Sequence, residues 1–146
     1  MKKFAFPLDR VLDWRRIQLQ LEEAGLEQIH AELRALQHNH DALDAEVKAA
    51  QKQVHDPRSA GHFEITVLEA YLASVEVQKN KLKQHEDDAR RRLVEKMAAV
   101  SKRKLDVKLL EKLRVRGQEN WKAEADREVA NLAEESFLAR WNRNRR

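Results

Sequence analysis

The chain has 146 residues, of which 37% are charged and only 5% aromatic, with a formal net charge of +4, and this is too little apolar bulk for a conventional enzyme core. Ala, Glu, Lys, Leu and Arg account for 82 residues, a share that goes with long helices and coiled coils, whereas Gly 3 and Pro 2 leave nothing from which to build many-stranded sheets or Gly-rich phosphate loops. Cys 0 excludes disulfides, thiolate zinc sites and cysteine nucleophiles, and fits a reducing compartment.

Helix one is predicted from about residue 7 to 55. Pro7 suits a first helical turn, where its missing N–H costs nothing, and Asp9 and Asp13 sit toward the positive end of the helix dipole. Two seven-residue columns run through it: Leu12, Leu19, Leu26, Leu33, His40, Val47, Val54, and Leu8, Arg15, Glu22, Ile29, Leu36, Leu43, Ala50. Together they make an apolar seam that is weak near Arg15 and Glu22.

The concentrated turn signal is Asp56-Pro57-Arg58-Ser59-Ala60-Gly61, which places a turn at about 56–62. Helix two is predicted over about 63–141. Thr66-Val67-Leu68-Glu69 has the form of a capping box, although Ser59 or Gly61 could open the helix earlier. Its columns are Leu72, Lys79, Glu86, Leu93, Val100, Val107, Arg114, Trp121 and Leu68, Val75, Leu82, Ala89, Lys96, Arg103, Leu110, Gly117. Met97, Leu105, Leu109 and Leu113 lie beside this patchier seam, so the apolar stripe is expected to drift around the helix. The predicted fold is all-α: two long helices in an antiparallel coiled-coil hairpin, a single elongated domain over 1–146. The second helix is the longer, leaving roughly 35 C-terminal residues past the end of helix one near residue 110.

Charge supports the pairing independently. Residues 17–55 carry three basic and seven acidic side chains, and residues 79–116 carry fourteen basic and six acidic. In this register Arg90, Arg91 and Arg92 are expected beside Glu22, Glu23 and Glu27, as charges flanking a seam set partner and orientation.

The residues give no catalytic constellation. His38 and His40, two apart on a helix, point about 200° apart, whereas chelation needs a spacing of three or four. His30, His55, His62 and His85 show no ligand spacing, and Ser59, Ser74, Ser101 and Ser136 lack a glycine elbow. No catalytic, cofactor-binding or metal residue is predicted. The run Arg90 to Arg92 before Leu93, and the tail Arg140 to Arg146, suggest a basic nucleic-acid binder, but Glu86, Asp87 and Asp88 directly precede the triple arginine and would repel phosphate. That tail is either a loose terminus or a contact for an acidic partner.

Large apolar residues fall where the hairpin offers no partner helix. Phe4 and Phe6 precede helix one, and Trp121, Leu132, Phe137, Leu138 and Trp141 lie on the overhang. Phe4 and Phe6 could fold back onto the start of the overhang, but an unpaired amphipathic helix otherwise asks for a groove. Tyr71 is expected to point sideways from the seam formed by Leu68, Leu72 and Val75, as a contact candidate. No stretch approaches the roughly 18 uncharged residues of a membrane span, and Asp9 and Arg10 interrupt the N-terminus before a secretory segment develops, so a cytoplasmic location without membrane insertion is expected.

The opening Phe4-Ala5-Phe6-Pro7-Leu8-Asp9-Arg10-Val11-Leu12-Asp13-Trp14-Arg15-Arg16 resembles the start of the FliJ family, small coiled-coil proteins of the bacterial flagellar type III export apparatus. Helix one has the right length, Tyr71-Leu72 sits early in helix two, and Leu110-Glu111-Lys112-Leu113 followed by Leu132-Ala133-Glu134-Glu135-Ser136-Phe137 is similar to that family's C-terminal motifs, with Glu134-Glu135 in place of its Asp-Glu pair. The resemblance implies a hairpin without enzymatic activity whose terminal end enters the pore of a hexameric export ATPase, serving flagellum biogenesis, motility and chemotaxis. It also implies contact with the cytoplasmic domain of the membrane export gate, escort of export chaperones, and a peripheral association with the inner membrane through that apparatus. Carried over by position, Phe4, Phe6, Leu8, Arg10, Trp14, Arg15, Arg16, Trp121, Glu134, Glu135 and Phe137 would face the ATPase, and Leu68, Tyr71, Val75, Gln78 and Leu82 the gate. No nucleic acid or cofactor is implied, and the chain is predicted to be a monomer on its own. The competing readings are the equivalent stalk protein of a virulence-type secretion system, a basic coiled-coil nucleic-acid binder and a generic dimerising scaffold.

Overall fold

The computed structural model describes residues 2–55 and 62–145. The turn predicted at Asp56 to Gly61, with Pro57 and the alternative helix openers Ser59 and Gly61, lies outside the described residues. Two helices account for the described fold: α1, Asp9–Val54, of 46 residues, and α2, His62–Asn144, of 83 residues. They form a helical hairpin whose second helix is the longer, with no strand among the described residues. Asp9 stands in the first turn of α1 and Lys52 in its last, Glu64 in the first turn of α2 and Arg143 in its last, each sign matching the helix dipole. Because α2 begins at His62, Thr66 lies within the helix and is not its cap.

The chain divides into two units, residues 1–20 with 102–146 and residues 21–101. In the first, α1 and α2 run antiparallel: Arg114 reaches Asp9 at 3.5 Å, Arg16 reaches Glu111 at 3.2 Å, and Arg103 donates to Gln18 at 3.0 Å. Leu12 is 1% exposed and Val107 is buried with it, both at seam positions read from the heptad columns. The second unit is paired in the same sense. Glu22 accepts from Lys96 at 2.9 Å, Glu32 from Arg92 at 2.7 Å, and Asp44 from Lys79. Its buried residues are Ile29, Val75, Ala89 and Val100.

The expected drift of the stripe does not occur. Met97, Leu105, Leu109 and Leu113 are exposed, while Val100 and Val107 stay buried and Leu110 half-buried on the seven-residue repeat. The polar seam positions explain why. Lys96 and Arg103 are half-buried, their stems lying along the seam while their charged ends reach Glu22 and Gln18 on α1. A long cation can thus fill a seam position, and the helices need not rotate to find an aliphatic one.

The triple arginine also behaves differently from the expectation. Only Arg92 crosses to α1, and to Glu32 instead of Glu22, Glu23 or Glu27, whereas Arg90 pairs with Glu86 and Arg91 with Asp88 on their own helix. Successive helical residues point about 100° apart, so three in a row cannot face one partner. The acids Glu86 and Asp88 one turn earlier take the other two.

Candidate functional site

Two regions gather the residues that the sequence singled out. The first is the terminal part of the unit formed by residues 1–20 and 102–146. There the segment before α1 folds back on α2: the Phe4 and Trp121 rings lie 6.1 Å apart at 53°, and the Trp121 indole N–H donates to the Lys2 carbonyl at 3.1 Å. Gly117 lies beneath this contact, where a Cβ would sit at ordinary packing distance, 3.7 Å from two Phe4 ring carbons. Of the two openings left by the sequence, back-packing is the one found for Phe4. Pairing therefore extends to Trp121 and not to about residue 110. Phe4 and Trp121 cover one another and offer a partner only their outer faces.

Phe6 is half-buried, and its carbonyl accepts the Asp9 N–H at 3.2 Å, starting α1. Leu8 and Arg10 are exposed. Trp14 is exposed, with the Arg15 guanidinium 5.0 Å from its ring centre, and Arg15 also reaches Asp106 at 3.7 Å. Arg16 is held between Asp13 and Glu111. Past Trp121, α2 runs on without a helical partner among the described residues of its unit. Val129, Leu132, Phe137, Leu138 and Trp141 are exposed along it, as are Glu134 and Glu135. Phe137 and Trp141 stack at 6.4 Å and 26°, and Arg145 lies 5.9 Å from the Trp141 ring centre. These large apolar side chains project from a helix that has no partner helix among the described residues of its unit.

The second region, in residues 21–101, holds the expected gate-facing set. Val75 is 4% exposed in the seam, so no partner reaches it while the helices are paired; its aliphatic side chain fills the core. Leu68 and Leu82 are half-buried and Gln78 is exposed. Tyr71 does project to the side of the seam, but its hydroxyl donates to Glu46 Oε2 at 3.3 Å, tying α2 to α1. Desolvation, followed by the Glu46 charge and hydrogen bond, pushes the Tyr71 phenol up. Leu68, Val67 and Tyr71 line an open apolar hollow with Ala50 and Val54.

Two carboxylates of this unit are held below their ordinary range, Glu32 chiefly by its hydrogen bond from Arg92 and Asp44 chiefly by that from Lys79. The Arg92 guanidinium is correspondingly raised, chiefly by its hydrogen bond to Glu32. His40, Asp41 and Asp44 offer ligand atoms within 4.8 Å of one another, a grouping that the separate consideration of His38 and His40 missed although His40 and Asp44 are four apart. The Asp44 carboxylate is already engaged by Lys79 and by His40 at 3.3 Å, which accounts for the cluster without an ion. No helix among the described residues is long and apolar enough to cross a membrane.

No protein-family model matches the chain, and neither a curated protein nor a solved structure does. The functional reading therefore rests on the residues and their arrangement.

Proposed function

We propose that this chain is a coiled-coil stalk of the flagellar type III export apparatus, resembling the FliJ family. Its terminal end would enter the pore of the hexameric export ATPase, and its paired body would contact the cytoplasmic domain of the export gate and export chaperones. It would act in the cytoplasm, at the inner membrane only through those partners, and without catalysis of its own. The observation that carries the reading is the terminal end itself: a segment with the sequence Phe4 to Arg16 is stapled to α2 at Trp121, and α2 continues beyond it with Phe137 and Trp141 exposed.

A stalk that works inside a ring needs a stiff paired stem and a tip whose apolar groups find their cover on the partner. Aromatic side chains that become desolvated in such a pore are the usual anchors of binding energy, commonly ~2 kcal/mol or more each. Arg10, exposed beside Trp14, would steer the tip toward an acidic pore lining. The ATPase-facing set narrows accordingly to the exposed Leu8, Arg10, Trp14, Glu134, Glu135 and Phe137, with Trp141 added. Phe4, Phe6 and Trp121 shape the tip, and Arg15 and Arg16 brace it against α2. On the gate side the reading keeps Leu68, Tyr71, Gln78 and Leu82 and releases Val75.

The test is direct binding of the purified export ATPase to the full chain and to Phe137→Glu/Trp141→Glu, measured by sedimentation velocity with nucleotide present. Binding by the full chain and at least a tenfold loss in the variant is expected. Equal binding by both would move the contact away from the overhang, and no binding by either would refute the reading.

A further inference from the structure

Past Trp121 the charge of α2 is sorted along its length. Residues 122–135 carry Lys122 and Arg127 against Glu124, Asp126, Glu128, Glu134 and Glu135, a net −3, whereas residues 136–146 carry Arg140, Arg143, Arg145 and Arg146 with no Asp or Glu, a net +4. The sign changes at Ser136. Arg140, Arg143 and Arg145 are exposed and make no ion pair among the described residues, whereas Arg90, Arg91, Arg92 and Arg114, further back in α2, each reach an acid.

The same basic end is apolar on one side. Phe137 and Trp141 are four residues apart and Leu138 and Trp141 three apart, which puts the three on one helix face. They are 63%, 54% and 53% exposed for Phe137, Trp141 and Leu138. Phe137 stacks on Trp141, and the Arg145 guanidinium lies 5.9 Å from the Trp141 ring centre.

We infer that this end of α2 is a contact site for an anionic membrane surface: Phe137, Leu138 and Trp141 enter the boundary between headgroups and acyl chains, and Arg140, Arg143 and Arg145 take the lipid phosphates around them. Charge makes the occupant a polyanion, and the apolar face selects among polyanions. Nucleic-acid phosphates would satisfy the arginines but leave Phe137 and Leu138 in water. An acidic protein groove would need an apolar floor shaped for all three side chains, whereas a bilayer surface supplies anion and apolar medium together to any helix end that reaches it. An indole with a cation beside it suits headgroup level, where one side is apolar and the other wet. Glu134 and Glu135, exposed about one turn before Leu138, are repelled by such a surface and confine the contact to the last turns of the helix. The contact needs no span, and no helix among the described residues is long and apolar enough to make one. It goes beyond the proposed function, in which the membrane is reached only through partner proteins, and does not rest on it. Lipid and ring cover the same Phe137 and Trp141, so the two contacts exclude each other.

Flotation of the full chain with large unilamellar vesicles tests the inference, with no partner protein present. Vesicles of phosphatidylcholine alone are compared with vesicles containing about a third phosphatidylglycerol, at about 0.1 M salt. Two full-length variants accompany the parent, Phe137→Ser/Trp141→Ser and Arg140→Gln/Arg143→Gln/Arg145→Gln, each checked for parental helicity by circular dichroism. The parent is expected to float with the anionic vesicles and to stay behind with the neutral ones. Each arginine at an anionic surface strengthens binding roughly fivefold, so the triple arginine variant should bind those vesicles ~100-fold more weakly. Loss of the two aromatic rings should weaken binding at least roughly tenfold, and raising the salt to about 0.5 M should weaken that of the parent. A parent that ignores anionic vesicles or floats equally with neutral ones, or either variant floating like the parent, would overturn the inference. Binding of a DNA duplex by the parent and the aromatic variant alike, with neither held by vesicles, would assign the arginines to nucleic acid and overturn it as well.

Discussion

At the scale of single residues, stability is concentrated in few side chains, because a two-helix structure buries little. Leu12, at 1% exposure, is the largest fully buried side chain among the described residues. Leu12→Ala is expected to cost about 2 to 4 kcal/mol in urea unfolding, whereas Leu109→Ala, at an exposed position, should change stability by less than about 0.5 kcal/mol. Two glycines separate backbone preference from packing. Gly117→Ala places a methyl at ordinary contact distance from Phe4 and should stabilise by about 0.5 to 1 kcal/mol, as expected for alanine in a helix. At Gly25 the same methyl would meet Lys96 Cε at 2.7 Å and displace the ammonium from Glu22, so Gly25→Ala should gain visibly less. Acid sensitivity follows from Glu32 and Asp44. Both carboxylates lie below their ordinary range in the folded chain, so their contribution is complete above that range and is lost as the pH falls through the lowered values. The melting temperature should therefore fall between about pH 5 and pH 2, and Glu32→Gln/Asp44→Asn should show a shallower fall over the same window. The Tyr71 phenol works in the other direction: raised in the folded chain, it stabilises below its ordinary value and loses that contribution as the pH rises above about 10.

At the scale of elements, the two helices and their seam were legible from the seven-residue columns, because burial in a coiled coil depends mainly on position along each helix. Leu12, Ile29, Val75, Ala89, Val100 and Val107, the buried residues, all fall in those columns. What could not be read there was how polar seam residues are accommodated. Lys96 and Arg103 fill their positions by reaching across to α1, and a count of aliphatic residues alone suggests a drift that the helices do not need. Nor does sequence proximity assign charges to partners, since Arg90 and Arg91 find acids on their own helix. Of the three arginines, only Arg92 ties the helices together. Arg92→Glu should lower the melting temperature clearly more than Arg90→Glu or Arg91→Glu, and equal effects of all three would contradict the assignment. The fold-back of Phe4 onto Trp121 is a tertiary contact visible only once the helices are paired. It also sets where the chain can be shortened. Removing residues 125–146 should leave helicity per residue and cooperativity intact, whereas removing residues 118–146 takes away Trp121 and should loosen the segment before α1.

At the scale of the whole molecule, the candidate site was legible in part. Its aromatic and acidic residues were marked by their position beyond the expected pairing, but which of them remain free was decided by packing: Phe4 and Trp121 cover each other, Val75 is sealed in the seam, and Phe137 and Trp141 stay exposed. The central claim is that the free part of α2 couples this chain to a ring-forming export ATPase. The measurement is steady-state ATP hydrolysis by the purified ATPase, alone, with the full chain, and with the chain ending at residue 124, whose folding is checked by circular dichroism. The account predicts stimulation by the full chain and none by the shortened one. Equal stimulation by both, or none by the full chain, would contradict it.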